Sequence, residues 1–235
     1  MPMPTVYAVG AAASGTGAIV PGVPAGTTAE DVLVLFVESS NEAVPAVSGY
    51  AEVLGSPVSV TTGTVTRLTV RWHRATGDES GTVSVGDPGD HAIARIVGVR
   101  GCIATADPWN VTAAATELVS DVSASCPTVT TTVPNCLVLA AVATGTDVAS
   151  TAHASSWANA NLANITERCD DWTSSGTGGG FGVCSGEKAA AGLVGATTAT
   201  LVTANFKALF QVALKEKLAV ADPAEVWMFG QVQVG

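Results

Sequence analysis

Two uninterrupted apolar runs stand out along the chain, residues 32–37 (VLVLFV) and 136–143 (CLVLAAVA). Short runs with no polar alternation predict strands buried on both faces. Elsewhere apolar and polar positions alternate with a period of two. In residues 66–74, Leu68, Val70 and Trp72 share one face, and Arg67, Thr69, Arg71 and His73 the other. In residues 206–214, Phe206, Ala208, Phe210, Val212 and Leu214 point inward, while Lys207, Gln211 and the following Lys215 point outward. Further strands are predicted at 82–85, 91–99, 180–184 and 197–202, separated by turns rich in Gly, Pro, Asn, Asp and Ser. Alanine is plentiful, but Leu, Glu, Lys and Gln at helical spacing do not accompany it. The pattern predicts an all-β fold, an antiparallel, jelly-roll-like β-sandwich.

An approximate internal repeat divides this sandwich. Each half runs from a buried strand through a loop with an aromatic (Tyr50 or Trp157) to a hairpin and a closing strand. The halves span about 20–101 and 134–215, within one domain over residues 1–215. The stretch 101–134 is expected to connect them, with DPWN at 107–110 as a turn. Residues 1–29 carry no charged side chain and several prolines. That predicts an extended first strand and loops in preference to a secretory signal, which needs Lys or Arg at its start. Residues 216–235 are expected to form a final strand or an assembly arm. Val226, Trp227, Met228 and Phe229 are the candidate assembly contacts in that uncharged, β-prone segment.

Composition narrows the function classes. Of 235 residues, 47% are hydrophobic and 13% charged, about half the usual charged fraction. Such a chain has enough apolar surface to fold, which argues against intrinsic disorder. Lys and Arg total 10 against 20 Asp and Glu, a net charge of −10. Nucleic-acid binding, which depends on a basic excess, is not expected. Nor is a membrane span, for which roughly 18 apolar residues in a row are needed. The five cysteines include no CxxC pair, so no zinc site is predicted. Cys126 with Cys136, and Cys169 with Cys184, are candidate disulfides across hairpins; buried reduced thiols are the alternative.

No motif assembles into an enzyme. Gly182–Gly186 reads G-x-C-x-G around Cys184, but no helix pattern follows and all three histidines precede it. Arg67, Arg71, His73 and Arg74 form the one cationic cluster, expected to be solvated strand charges facing acidic neighbours. Asp87, Asp90 and His91 in GDPGDH fit a tight turn better than a calcium loop. Glu167, Asp170 and Asp171 offer paired acids, but adjacent strand residues point to opposite faces. The stretch 175–182 (SGTGGGFG) lacks the Lys and Ser/Thr of a phosphate loop and is expected to be a flexible hairpin loop. Trp109, Trp157 and Trp172 are candidate surface aromatics for stacking on a sugar. No catalytic residue, metal ligand or cofactor is expected.

Several segments, taken in order, resemble a β-sandwich module of tailed-bacteriophage virion proteins. They are residues 23–36 (VPAGTTAEDVLVLF), 71–81 (RWHRATGDESG), 157–168 (WANANLANITER), the Gly-rich stretch, SGEKAAAG at 185–192, and Ala213-Leu214. The resemblance covers roughly residues 20–215. It implies a non-enzymatic virion component, decorating a capsid or forming a peripheral tail part. Its expected partners are copies of itself and other virion proteins. A host-surface or carbohydrate-binding adhesin is the alternative, with a host glycan as partner. The five cysteines and the segment VWMFGQVQVG lie outside what the module accounts for.

Overall fold

The computed structural model describes residues 3–40, 42–147 and 153–217. Residues 5–100 build the first sheet from β1 (Thr5–Val9), β2 (Ala13–Gly15), β3 (Val32–Ser39), β4 (Ala51–Glu52), β5 (Val58–Val60), β6 (Thr66–Arg74) and β7 (Ala92–Arg100). The second half contributes β8 (Trp109–Ser125), β9 (Val129–Thr131), β10 (Cys136–Thr144), β11 (Ala154–Ala158), β12 (Ala163–Thr173), β13 (Gly179–Lys188), β14 (Gly192–Gly195) and β15 (Thr198–Leu214). All of these but the paired β9 and β14, which form a small two-stranded sheet, join the second sheet. Every pairing is antiparallel, and the two sheets pack face to face as a β-sandwich.

Both sheets follow one strand order. Each is centred on its apolar strand, β3 or β10. On one side lies the later strand of a hairpin, β6 or β13, and outside it the earlier one, β5 or β12. On the other side lies the closing strand, β7 or β15, flanked by the strand that precedes the apolar one, β1 or β8. Strands are not dealt alternately to the two sheets, as a jelly roll's are. Each half of the chain finishes its own sheet, because each buried strand finds both neighbours nearby in sequence.

The inner faces meet in one core. Val32, Val34, Phe36, Leu68, Val70, Ile93, Val97 and Val99 oppose Leu137, Leu139, Phe181, Val183, Phe210, Val212 and Leu214. At its centre the rings of Phe36 and Phe181 stack with centroids 6.4 Å apart. Burying each such side chain contributes about 1.5–3 kcal/mol. Every residue of β3 and of β10 is buried, as an apolar run without alternation requires. The inward positions expected on β6 and β15 are also found: Leu68, Val70, Ala208, Phe210, Val212 and Leu214 lie in the core, with Trp72 and Phe206 packed against it.

Sandwiches usually leave their outer faces to water; here both are covered. Leu33, Leu35, Val37, Ala94 and Ile96 on the outside of the first sheet lie under Ile19, Val44, Val47 and Val85 from loops. Arg71 holds that cover in place. Its guanidinium donates to the carbonyls of Pro45 (2.6 Å) and Val44 (3.0 Å) and to Glu52 (3.2 Å). Residues 82–85, expected to be a strand, contribute only isolated bridges from Thr82 to Gly22 and from Val85 to Ile19 within this layer.

The second sheet is covered by its own strands. The stretch 101–134, expected as a connection, contains the 17-residue β8, which pairs along β15. The ladder between them breaks near Glu117–Asp121 and Leu201–Asn205. Beyond this elbow the ends of both strands lie over the sheet's outer face, where β11 pairs with β15. There Ala124, Cys126, Ala199 and Leu201 cover Ala140, Val142, Cys184 and Leu209. The β9–β14 pair covers Cys136, Val138 and Ala213 through Val129 and Val194.

Lys207 and Gln211 do point away from the main core, yet both are completely buried beneath this second layer. The Lys207 ammonium sits in the elbow and donates to Asp121 (2.8 Å), Glu117 (3.0 Å) and the Val119 carbonyl (3.0 Å). Gln211 bridges Thr197 Oγ1 (2.6 Å) and the Gly195 carbonyl (3.0 Å). A period of two distinguishes the faces of a strand, but it does not say whether the second face meets water.

The glycines of 175–182 are not a flexible loop throughout, since Gly179–Gly182 lie within β13. A Cβ at Gly182 would lie 2.9 Å from Ala154 Cβ and 3.1 Å from the Trp157 ring. The missing side chain lets β11 lie flat on the sheet. All five cysteines are buried and unpaired. Cys169 faces the main core and Cys184 the outer cover, on opposite faces of the sheet. Cys126 and Cys136 likewise belong to separate clusters.

Two measurements follow from this packing. Lys207→Met keeps the volume but leaves Glu117, Asp121 and the Val119 carbonyl without their donor. It should cost about 2–4 kcal/mol in urea unfolding; a loss within experimental error would remove Lys207 from its role at the elbow. Burial also pushes the thiols up, to about 12 for Cys102 and Cys126 and about 11 for Cys136. A thiol reagent should therefore titrate none of the five rapidly in the native protein and all five in denaturant. Fewer than five in denaturant would indicate a disulfide.

Candidate functional site

Ionisable groups gather at one pole of the sandwich. β3 ends with Glu38 pointing inward, in line with Phe36, where the core gives way to polar side chains. Glu38 Oε1 accepts from Thr66 Oγ1 at 2.8 Å, and Glu38 Oε2 lies 3.2 Å from His91 Nε2. His91 Nδ1 is 3.2 Å from Asp90 Oδ2, which accepts from the Thr177 backbone at 2.6 Å and its hydroxyl at 2.7 Å. The turn before β13 is thus tied to the first sheet.

Burial raises the Glu38 pKa, and the bonds from His91 and Thr66 only partly reverse it. Burial alone would lower that of His91, but its bonds to Glu38 and Asp90 outweigh this and raise it. Hydrogen bonds from Thr177 and His91 lower that of Asp90 to about 2. Glu38 and His91 are both fully buried, so no substrate reaches them. A shallow depression of about 210 Å³ nearby is lined by Ser40, Gly63, Thr64, Val65, Gly145 and Thr177. None of these supplies a nucleophile paired to a base, and the arrangement is a clamp between the sheets.

The other sequence motifs are consumed in structure too. Cys184 is buried and burial pushes its thiol up, so it stays protonated. The cationic cluster disperses. Arg67 donates to Ser59, Arg71 to the loop carbonyls, and Arg74 to the carbonyls of Ile103 and Ala106. His73 bonds Glu79 at 2.9 Å. Partial burial works to raise the Glu79 pKa, but hydrogen bonds from Thr76, His73 and Gly77 reverse it and leave it well below the usual carboxylate range. Arg71 corrects the expectation of solvated charges, because it lies beneath the loop it holds.

Asp87 closes its turn by accepting from Gly89, whereas Asp90 and His91 leave the turn to form the clamp. Asp170 and Asp171 diverge: Asp170 accepts from the backbones of His153 and Ala154, and Asp171 pairs with Arg95 of the first sheet at 2.7 Å. Among the described residues no three His, Cys, Asp or Glu side chains gather as a metal cluster.

The three tryptophans lie in strands, half-buried, and not together. Trp109 pairs with Leu214 and meets Trp72 edge-on, with centroids 5.5 Å apart. Trp172 pairs with Gly180 at the opposite end of the second sheet. Trp157 lies against Gly182 on the outer face. Val226, Trp227, Met228 and Phe229 lie outside the described residues.

The surface that sequence reasoning missed is the β8–β15 elbow. Leu118 (57% exposed), Val119 (60%) and Val122 (44%) project there, with Val202 (49%) opposite. They make up four of the seven large exposed hydrophobics among the described residues. Its one trace in the sequence is a long stretch, 109–125, with no Lys, Arg or Pro. Compared with family models, with curated proteins and with solved structures, the chain matches none.

His153 gives this region a pH dependence. It is fully buried, neither ring nitrogen has a partner, and desolvation lowers its pKa to about 4. The unfolded chain takes up the proton near pH 6.5, so stability contributed by neutral His153 is complete above that value and is lost as pH falls toward 4. The loss should reach about 3 kcal/mol. His153→Leu should remove this component, giving a smaller drop between pH 7 and 4 in denaturant titrations. Equal drops in both proteins would refute the assignment.

Proposed function

We propose that this chain is a non-enzymatic structural protein of a tailed-phage particle, present in many copies as a capsid decoration or a peripheral tail component. The observation that carries this is the ordered series of segments across residues 20–215 that resembles the virion module, in a chain folded as a β-sandwich. The geometry is compatible with a mechanical role. Both outer faces are covered, and the clustered ionisable groups hold strands and loops to one another. The surface features left over are an edge strand and an apolar elbow, which suit assembly better than chemistry. The adhesin alternative depends on Trp109, Trp157 and Trp172, whose separation offers no shared stacking platform.

Mass spectrometry of purified particles tests the proposal. The chain should be recovered from mature virions at a fixed, multi-copy ratio to the major capsid protein. Its absence from them would overturn the proposal.

A further inference from the structure

Each ring nitrogen of His91 faces a carboxylate. Nε2 lies 3.2 Å from Glu38 Oε2, and Nδ1 lies 3.2 Å from Asp90 Oδ2. A neutral imidazole carries one N–H and serves one of these acceptors; only the imidazolium serves both. Placing the proton on Glu38 instead satisfies the same contacts, so the closed site holds one shared proton in either arrangement. The Thr177 hydroxyl, 3.3 Å from Nδ1, is engaged with Asp90 at 2.7 Å. Glu38 has, besides His91, the Thr66 hydroxyl at 2.8 Å. The side chains of Glu38 and His91 are both fully buried.

Charges on the neighbouring elements favour keeping that proton. Glu42 packs against Gly89 in the turn that carries Asp90, and Asp87 closes the same turn on the Gly89 backbone. Asp147 lies against Gly178 in the turn before β13. Arg95 of β7 is already held by Asp171 at 2.7 Å, and His153, beside Gly180, is kept neutral by burial. Burial opposes a charge on His91, but its bonds to Glu38 and Asp90 outweigh this and raise its pKa.

The cluster joins the two sheets. The Glu38 carboxylate, on β3, sits directly over Gly179 of β13, where any Cβ would collide with it. Asp90 holds the backbone N–H and hydroxyl of Thr177 at 2.6 and 2.7 Å. The depression lined by Ser40, Gly145 and Thr177 opens beside these contacts. We propose that Glu38, His91 and Asp90 form a proton-operated latch between the sheets, closed while it holds its proton and opened at alkaline pH. Loss of the proton leaves one carboxylate facing a ring nitrogen lone pair. For Glu38 that is a buried charge with a single hydroxyl partner, a costly state that water relieves. The turn at 174–178 then parts from the first sheet and admits that water. Opening therefore releases one proton. The latch belongs to the folded chain and does not depend on the virion reading.

Hydrogen exchange of the full-length protein between about pH 6 and 10, normalised to intrinsic amide rates and read by mass spectrometry, tests the latch. Opening at 174–180 should rise about tenfold per pH unit above roughly pH 6.5, where a free histidine has lost its proton. It should level off once the closed latch itself titrates. Residues 136–139, at the other end of β10, should show no such rise. Glu38→Gln supplies an amide that donates to neutral His91, so it should abolish the slope. The Asp90 side chain is 42% exposed. Asp90→Asn should therefore keep the fold, and with one carboxylate fewer its curve should level off at a lower pH. It carries the test by itself if Glu38→Gln does not fold. A flat wild-type profile, an equal rise at both ends, or a slope kept in Glu38→Gln would overturn the proposal. So would an Asp90→Asn profile that coincides with the wild type.

Discussion

The constraint on which the structure depends is that its two central strands have no polar face. VLVLFV in β3 and CLVLAAVA in β10 present apolar side chains in both directions. One sheet packed on another satisfies only the inner half of each strand. The outer halves must also be taken from water, so the sandwich has a second layer on each side. On the first sheet, loops do this under the hold of Arg71. On the second sheet, β8 and β15 break register at an elbow and lay their own ends over the face.

Covering both faces decides where the few charges go. A cation beneath a cover needs acceptors, because an unpaired buried charge is far costlier than a paired one. Lys207 has two carboxylates and a carbonyl, Arg71 two carbonyls and Glu52, and His91 has Glu38 and Asp90. Arg95 and Asp171 join the two sheets directly. The cations named in the suggestive motifs are thereby tied into the fold, and those motifs act as braces. The same accounting engages both acids of β8, Glu117 and Asp121, with Lys207.

The strand positions are largely legible in the sequence. β6 spans the alternating stretch 66–74 with Leu68 and Val70 inward, though its outward Thr69 and Arg71 are buried as well, and both doubly buried strands lie where the apolar runs predict. Adjacent acids on β12 diverge as strand geometry demands. Where pattern and fold differ, the cause is shared: the deciding contact is distant in the chain. β8 reads as a connection because its Ala- and Thr-rich alternation is weak, and its stability comes from pairing along β15. The glycines of β13 suggest a mobile loop because flexibility and close packing leave the same trace in sequence. Alternation places Lys207 and Gln211 correctly with respect to the main core but not with respect to water.

The sequence by itself determined the all-β class, the two centres of the sandwich and the inward sides of β6 and β15. These depend on local alternation, which a period of two records directly. Only the tertiary structure decided which outward faces are covered and which charges are buried. Those properties depend on strands far apart in the chain: β8 against β15, β11 on the glycines of β13, and Lys207 within reach of Glu117 and Asp121. No local pattern encodes such distances, because whether a polar side chain meets water is settled by what else folds over it.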